Sequence, residues 1–313
     1  MPTLDPHMAE ILRLAAEQGF QPFETMTAVE ARAEAERRNR VWNEDNPAVG
    51  RVEDVDLPGP GGALRLRIYE PKGAPTPGPA VLYIHGGGWV ICSLDTHDGI
   101  CRRLTNMSGL RIASLDYRMA PEHPFPAPLD DCLAALSWLR LHGAEVGIDP
   151  GRVAMAGDSA GANLALAACL ALKQRGEAQP STAALIYGAF SADLDSPSHR
   201  AYGGGAYVLS TPTMHWFWNQ YVPDVGRRSD PLVSPLNGDL AGLPPLYVAA
   251  AELDPLRDDS ERMAARLALA GVDFDYRLWR GVTHACIMMS RLLPAADVQL
   301  AEIAGFLRRR LAA

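Results

Sequence analysis

The chain lacks what marks a protein of nucleic acids or membrane surfaces. It has 29 Lys and Arg against 37 Asp and Glu, a formal net charge of −8. It also lacks a long basic cluster, so a polyanionic partner is not expected. Its one basic run, Arg308-Arg309-Arg310, ends a helical pattern, where cations offset the helix dipole. No apolar stretch approaches the roughly 20 residues of a membrane span, so stable membrane insertion is not expected either. Residues 1–7 have no basic n-region and no apolar h-region, which argues against a signal peptide. The cysteines, Cys92, Cys101, Cys132, Cys169 and Cys286, are few and odd in number, with no C-x-x-C pair. They read as reduced, buried thiols of a cytoplasmic protein rather than disulfides or a metal site. No cluster of His, Cys or acids has ligand spacing, so no metal and no cofactor is expected. Internal repeats and low-complexity tracts are absent too.

What is present is apolar and periodic. Of 313 residues, 48% are hydrophobic, ample for one large core. Residues 6–42 have helical spacing. From Val29 to Trp42 the helix is laced with charge and reads as a solvated face. Strand texture begins at Val52. Segments 52–57 and 64–69 alternate around Pro58-Gly59-Pro60-Gly61-Gly62, which predicts an antiparallel hairpin. After a Pro/Gly-rich linker at 71–79, strands are expected at 80–84, 111–115, 153–156, 183–187, 246–250 and 274–278. Helices are expected at 98–107, 128–142, 160–173, 257–270 and 295–311. Short apolar strands alternating with helices imply a mostly parallel sheet covered on both faces. The rhythm breaks over 191–225, where a Gly-rich loop precedes an aromatic helix at 213–221. That helix is either part of a lid or plain core packing, and the pattern leaves both open.

Gly157-Asp158-Ser159-Ala160-Gly161 is the most informative segment. It joins a buried strand to a helix, and in that context G-x-S-x-G marks a nucleophile elbow. A serine hydroxyl needs a neighbouring base, and the base needs an orienting acid. On sheets with this elbow they follow in the order Ser, acid, His. Asp254 lies just past the strand at 246–250, and His284 past that at 274–278. Each is at a carboxyl end, where such sheets bind ligands. Glu252 is the strongest rival acid by position. Asp258 and Asp259 suit the first turn of the next helix. Of the other histidines, His7, His97, His142, His199 and His215 lack the strand-loop context, and His123 sits beside proline. The fourth part is His85-Gly86-Gly87-Gly88-Trp89. Three glycines can turn their amides toward one point, as a tetrahedral oxyanion requires. The amide after the nucleophile, Ala160, would be a further donor. His85 reads as a residue that holds this loop rather than as a base. The phosphate-binding patterns G-x-x-x-x-G-K and G-x-G-x-x-G do not occur at this place.

These motifs come in order with Asp116-Tyr117-Arg118-Met119-Ala120-Pro121-Glu122-His123-Pro124-Phe125-Pro126-Ala127, with Ser229-Asp230-Pro231-Leu232-Val233-Ser234-Pro235-Leu236 and with Asp254-Pro255-Leu256-Arg257-Asp258. Together they resemble the hormone-sensitive-lipase-like carboxylesterase family of the α/β-hydrolase fold. The resemblance implies a mostly parallel central sheet with an antiparallel N-terminal hairpin, helices on both faces, and a helical cap. It divides the chain into an N-terminal part of the cap (1–50), core (51–190), cap insertion (191–225) and core (226–313). It implies Ser159, Asp254 and His284 as catalytic triad and Gly87, Gly88 and Ala160 as oxyanion donors. Trp89, Asp158, Tyr187, Trp216 and Cys286 are expected in the substrate pocket. Two places depart from the family pattern. Ala285-Cys286 follows His284 where glycine and a bulky residue are usual, and Tyr187-Gly188-Ala189-Phe190 stands where Tyr-Pro is common.

The expected function is hydrolysis of small-molecule carboxylic esters, with short to medium acyl chains, through an acyl-enzyme. An amidase or formamidase on the same triad is the alternative, and a non-catalytic small-molecule receptor a third reading. Oligomeric state stays open, a homodimer being one arrangement.

Overall fold

The computed structural model describes residues 3–312. Eight strands form one sheet: β1 (Arg51–Gly59), β2 (Gly62–Glu70), β3 (Gly78–Ile84), β4 (Arg111–Asp116), β5 (Ile148–Asp158), β6 (Ala183–Ile186), β7 (Leu246–Leu253) and β8 (Phe274–Thr283). Their order is β1-β2-β4-β3-β5-β6-β7-β8. β1 and β2 form the antiparallel hairpin, β2 pairs antiparallel with β4, and β4 through β8 run parallel. The long helices are α1 (Pro6–Gln18), α2 (Ala28–Asn39), α3 (Asp98–Ser108), α4 (Ala127–His142), α5 (Ala160–Gln174), α7 (Thr211–Tyr221), α8 (Arg257–Leu269) and α9 (Pro294–Leu311), with a short α6 at Pro197–Tyr202.

Alternation along the strands explains the two cores. In β3, Ala80, Leu82 and Ile84 face one side with residues of α4, α5 and α8. Val81 and Tyr83 face the other, with α3 and α9. All five cysteines are buried and free. β5 and β8 run beyond their apolar centres because register partners continue at their ends: Ile148 pairs with Gly78 and Thr283 with Leu253. α6 went unseen in the periodicity because it is too short to show one. Its start is signalled by Ser196 as N-cap, accepting from His199 N–H at 3.2 Å, with Pro197 in the first turn.

The charged helix α2 is not a free solvated face. Ala31 and Ala35 are fully buried. Arg32 donates through Nε to Val90 O at 2.8 Å and through Nη2 to Ala120 O at 2.8 Å, and pairs with Glu122. Glu36 accepts from Ser93 Oγ at 2.5 Å. α1 docks at the other end of the sheet's upper edge. Asp5 N–H donates to Gly281 O at 2.9 Å, and Thr283 Oγ1 lies 3.3 Å from Met8 Sδ. Between the two helices, Glu24 accepts from Thr213 Oγ1 of α7 at 2.6 Å. The N-terminal segment therefore touches the loop after β3, the end of β8 and the 191–225 insertion. Apart from Met8, the linking side chains are charged or polar, so a hydrophobic pattern did not reveal them.

Candidate active site

Four strand ends build the site. β5 stops at Asp158, and the chain turns at Ser159 into α5. Ser159 holds φ 54° and ψ −118°, a region that costs a residue with a Cβ on the order of 1–3 kcal/mol. The surroundings impose it: Ser159 N–H donates to Ile186 O at 2.8 Å, and the first turn of α5 lies against β3. A Cβ on Gly161 would run into the Ile84 carbonyl oxygen, so only glycine lets the helix start this close.

β7 and β8 carry the other two residues in register. Leu253 pairs with Thr283, so the next residues of both strands, Asp254 and His284, emerge side by side. His284 Nδ1 is 2.7 Å from Asp254 Oδ2, and its Nε2 is 3.0 Å from Ser159 Oγ. Asp254 is wholly buried, and its Oδ1 accepts from Leu256 N–H at 2.9 Å, which fixes the carboxylate plane. With Asp254 an acceptor, Nδ1 carries the hydrogen and Nε2 is free to accept from the serine. Ser159 and His284 keep 8% and 7% of their surface exposed, so the line opens to solvent at one narrow place. Glu252 is turned elsewhere. It occupies an irregularity between Ala251 and Leu253, accepts from Gly281 N–H at 2.8 Å and pairs with Arg280. Among the other histidines, His142 bonds to Glu145 and His199 to Thr211.

The glycine segment after β3 makes a tight turn in which Val90 N–H and Ile91 N–H both bond to Gly87 O. Gly88 has φ 58°, and a Cβ there would strike the Phe217 ring of α7. Among the described residues, neither Gly87 N–H nor Gly88 N–H is bonded to a protein acceptor. Ala160 is the first residue of α5, so its amide has no acceptor within the helix. His85 holds the turn from below: Nδ1 bonds to Gly86 O at 2.7 Å, and the ring stacks on Tyr117 at 4.4 Å. Burial, joined by the neighbouring His97 ring, pushes the His85 imidazole down to about 3.

The pocket expectations need correction. Trp89 is fully buried, stacked on Tyr221 at 4.3 Å and tilted against Trp218 at 4.5 Å, so it anchors α7 to the turn. Asp158 points beneath the turn and accepts from Gly86 N–H. Tyr187 and Cys286 are fully buried; the Tyr187 ring packs at 4.8 Å against that of His284. Trp216 alone of the five is partly exposed. Residues that sequence reasoning missed are Arg32, Phe217 and His97. Phe217 was legible in phase with Met214, Trp218 and Tyr221, the buried face of α7. At the second family departure, Asn163 Nδ2 donates to Ala189 O and Val233 O, and Asp259 accepts from Phe190 N–H at 2.8 Å and Ser191 N–H at 2.9 Å. Two backbone donors to a buried carboxyl thus hold the entry to the insertion without a proline.

This geometry agrees with what the chain resembles. A family model described as the α/β-hydrolase fold matches residues 81–288. The chain belongs to the hormone-sensitive-lipase-like carboxylesterases. It is 36% identical to the carboxylic ester hydrolase LipN of Mycobacterium tuberculosis, over 83% of this chain and 70% of that one. It is 35% identical to an ethyl acetate hydrolase of Pseudomonas putida, over 99% and 100%. The structure of a hyperthermophilic esterase from Pyrobaculum calidifontis superposes with a TM-score of 0.93 at 38% identity, covering all of both chains.

Within this carboxylesterase, Ala285 stands in the left-handed region at φ 61° and ψ 16°. Ala285→Gly is expected to raise stability by about 1 kcal/mol through relief of that conformation, read as a higher urea midpoint. An unchanged midpoint would mean that packing, not local strain, sets the loop. The His85 ring gives a pH dependence of stability. Its folded value lies below the unfolded one, so its contribution is complete above the ordinary 6.5 and is lost as pH falls toward 3. The melting temperature of His85→Gln should accordingly fall less steeply than that of the parent between neutrality and pH 4.

Proposed function

We propose that the carboxylesterase works by nucleophilic acyl transfer from an ester to Ser159. The carrying observation is the single line of contacts Asp254 Oδ2, His284, Ser159 Oγ, at 2.7 and 3.0 Å. His284 Nε2 takes the serine proton as Oγ attacks the ester carbon. The carbonyl oxygen becomes an oxyanion, for which Gly87, Gly88 and Ala160 offer unbonded amides and α5 its positive end. His284 then returns the proton to the leaving alcohol, and the acyl group stays on Ser159. Water, deprotonated by His284, attacks the acyl-enzyme; the acid leaves and the serine regains its proton. Asp254 keeps Nδ1 protonated and steadies the imidazolium between these steps. Neither a metal nor a cofactor is required by this sequence of steps, and the reduced thiols and acidic balance suit a cytoplasmic enzyme of small-molecule esters.

We further propose that residues 1–50 and 191–225 act together as a cap. The support is the bond of Glu24 to Thr213 and the seating of Phe217 on Gly88. A roof of bulky aromatics favours a small acyl group and keeps water from the charged intermediate.

Ser159→Ala should lower ester turnover by several thousandfold or more, roughly the scale of triad knockouts. Asp254→Asn should cut kcat strongly, because it presents the wrong hydrogen-bonding group to His284, while Glu252→Gln should be mild. A larger kcat loss in a folded Glu252→Gln enzyme would reverse the assignment. Across a series of acyl esters and matched amides, kcat/KM should peak for esters at acyl chains of about two to eight carbons. Deleting residues 1–42 should broaden that profile and reduce turnover. A folded, truncated protein with the same profile would refute the cap.

A further inference from the structure

Directly behind Ser159 lies a second buried charged pair that plays no part in the proton transfer above. Asp158 and His97 are both almost wholly inaccessible. His97 Nε2 is 3.3 Å from Asp158 Oδ1 and 3.5 Å from Oδ2. Asp158 Oδ1 also accepts from Tyr83 Oη–H at 2.8 Å and from Gly86 N–H at 3.1 Å. Gly86 is thus held at both ends of its backbone, its N–H by Asp158 and its C=O by His85, one residue before Gly87.

The hydrogen bonds around His97 bear on the charge of the pair. Thr96 Oγ1 donates its only hydrogen to Ser93 O at 2.9 Å. It accepts from Ser93 N–H at 2.9 Å and lies 2.9 Å from His97 Nδ1. With the threonine hydrogen on Ser93 O, His97 Nδ1 is the donor in that contact. If Nε2 carried none, its lone pair would face a buried carboxylate with nothing between them. One proton must lie there, and the two donors already on Oδ1 favour the carboxylate form, which leaves that proton on Nε2. Burial works against a charged Asp158, yet the His97 charge and the bonds from His97 and Tyr83 hold its carboxyl below the usual range. The other titratable rings facing His97 are His85, at 5.4 Å, and Tyr83, at 6.3 Å.

We propose that His97 is a positioning residue for acyl transfer. As an imidazolium paired with Asp158 it neutralises the one carboxylate beneath the glycine turn, and through Asp158 and Gly86 it holds the turn that presents Gly87 and Gly88. An unpaired Asp158 would oppose the developing oxyanion just where those amides are meant to stabilise it. The proposal rests on the acyl-transfer reading given above.

Two measurements test it. In the ¹⁵N-histidine spectrum of the unmodified protein at neutral pH, the His97 ring, assigned by its loss in His97→Gln, should show two protonated nitrogens. Kinetically, His97→Ala should lower kcat on a short acyl ester by about a hundredfold with KM nearly unchanged. Affinity for a trifluoromethyl ketone, which forms an oxyanion on Ser159, should fall in step. Adding Asp158→Asn to His97→Ala should recover about tenfold, because the amide still accepts from Gly86 N–H but carries no charge. His97→Gln, which keeps a donor toward Asp158, should fall between, and stands in if the alanine variant does not fold. A pyridine-like Nε2 in the unmodified protein would overturn the proposal. So would wild-type kcat in either His97 variant, or a double variant no better than the single. If the unmodified protein hydrolyses no ester, the acyl-transfer reading fails, while the spectrum still judges the charge of His97.

Discussion

The approach of α5 to the end of β3 is the constraint on which the site depends. Gly161 lies against the Ile84 carbonyl, which leaves no room for a side chain. From that contact follow the sharp turn at Ser159, its unusual backbone, and the aim of the helix start at the turn over Gly87 and Gly88. The sheet fixes the rest by register. Because Leu253 and Thr283 are partners, Asp254 and His284 need no loop search to meet. Chemistry is thus placed by two packing facts, neither of which involves a polar side chain.

Around that rigid base sits a polar second layer. Arg32, Asp158, His85 and Tyr117 each bond to backbone in the segments after β3 and β4. Such bonds are worth more buried than in water and are costly if left unmade. They give a glycine turn, intrinsically the most mobile kind of segment, one conformation. The aromatic helix α7 adds weight from above through Trp89 and Phe217. One face of it, with Met214, Trp218 and Tyr221, is core packing, while Phe217 seats on the turn itself.

Much of this was legible in the sequence. Strand and helix centres followed from period, because a sheet covered on both faces needs apolar runs. The convergence of Ser159, Asp254 and His284 followed from motifs at strand ends. Boundaries drifted wherever pairing, not hydrophobicity, extends a strand, as at Ile148 and Thr283. The pocket residues were the poorest expectations. Trp89, Asp158, Tyr187 and Cys286 neighbour the site in sequence, but alternation and turns send their side chains inward, and a motif carries no direction. His97 was set aside because it lacks the strand-loop context, and its partner, Asp158, is 61 residues away along the chain. Glu252 and Asp254 could be separated only by the local irregularity in β7, which turns the glutamate away.

The bond from Asp5 N–H to Gly281 O joins the first turn of the chain to its last strand. A contact of such separation carries a large loop-closure cost. During synthesis the N-terminal helices leave the ribosome long before their docking partner exists. The strand ends that hold Asp254 and His284 arrive in that same final stretch. A nascent chain can therefore carry Ser159 on its elbow before Asp254 and His284 have been made.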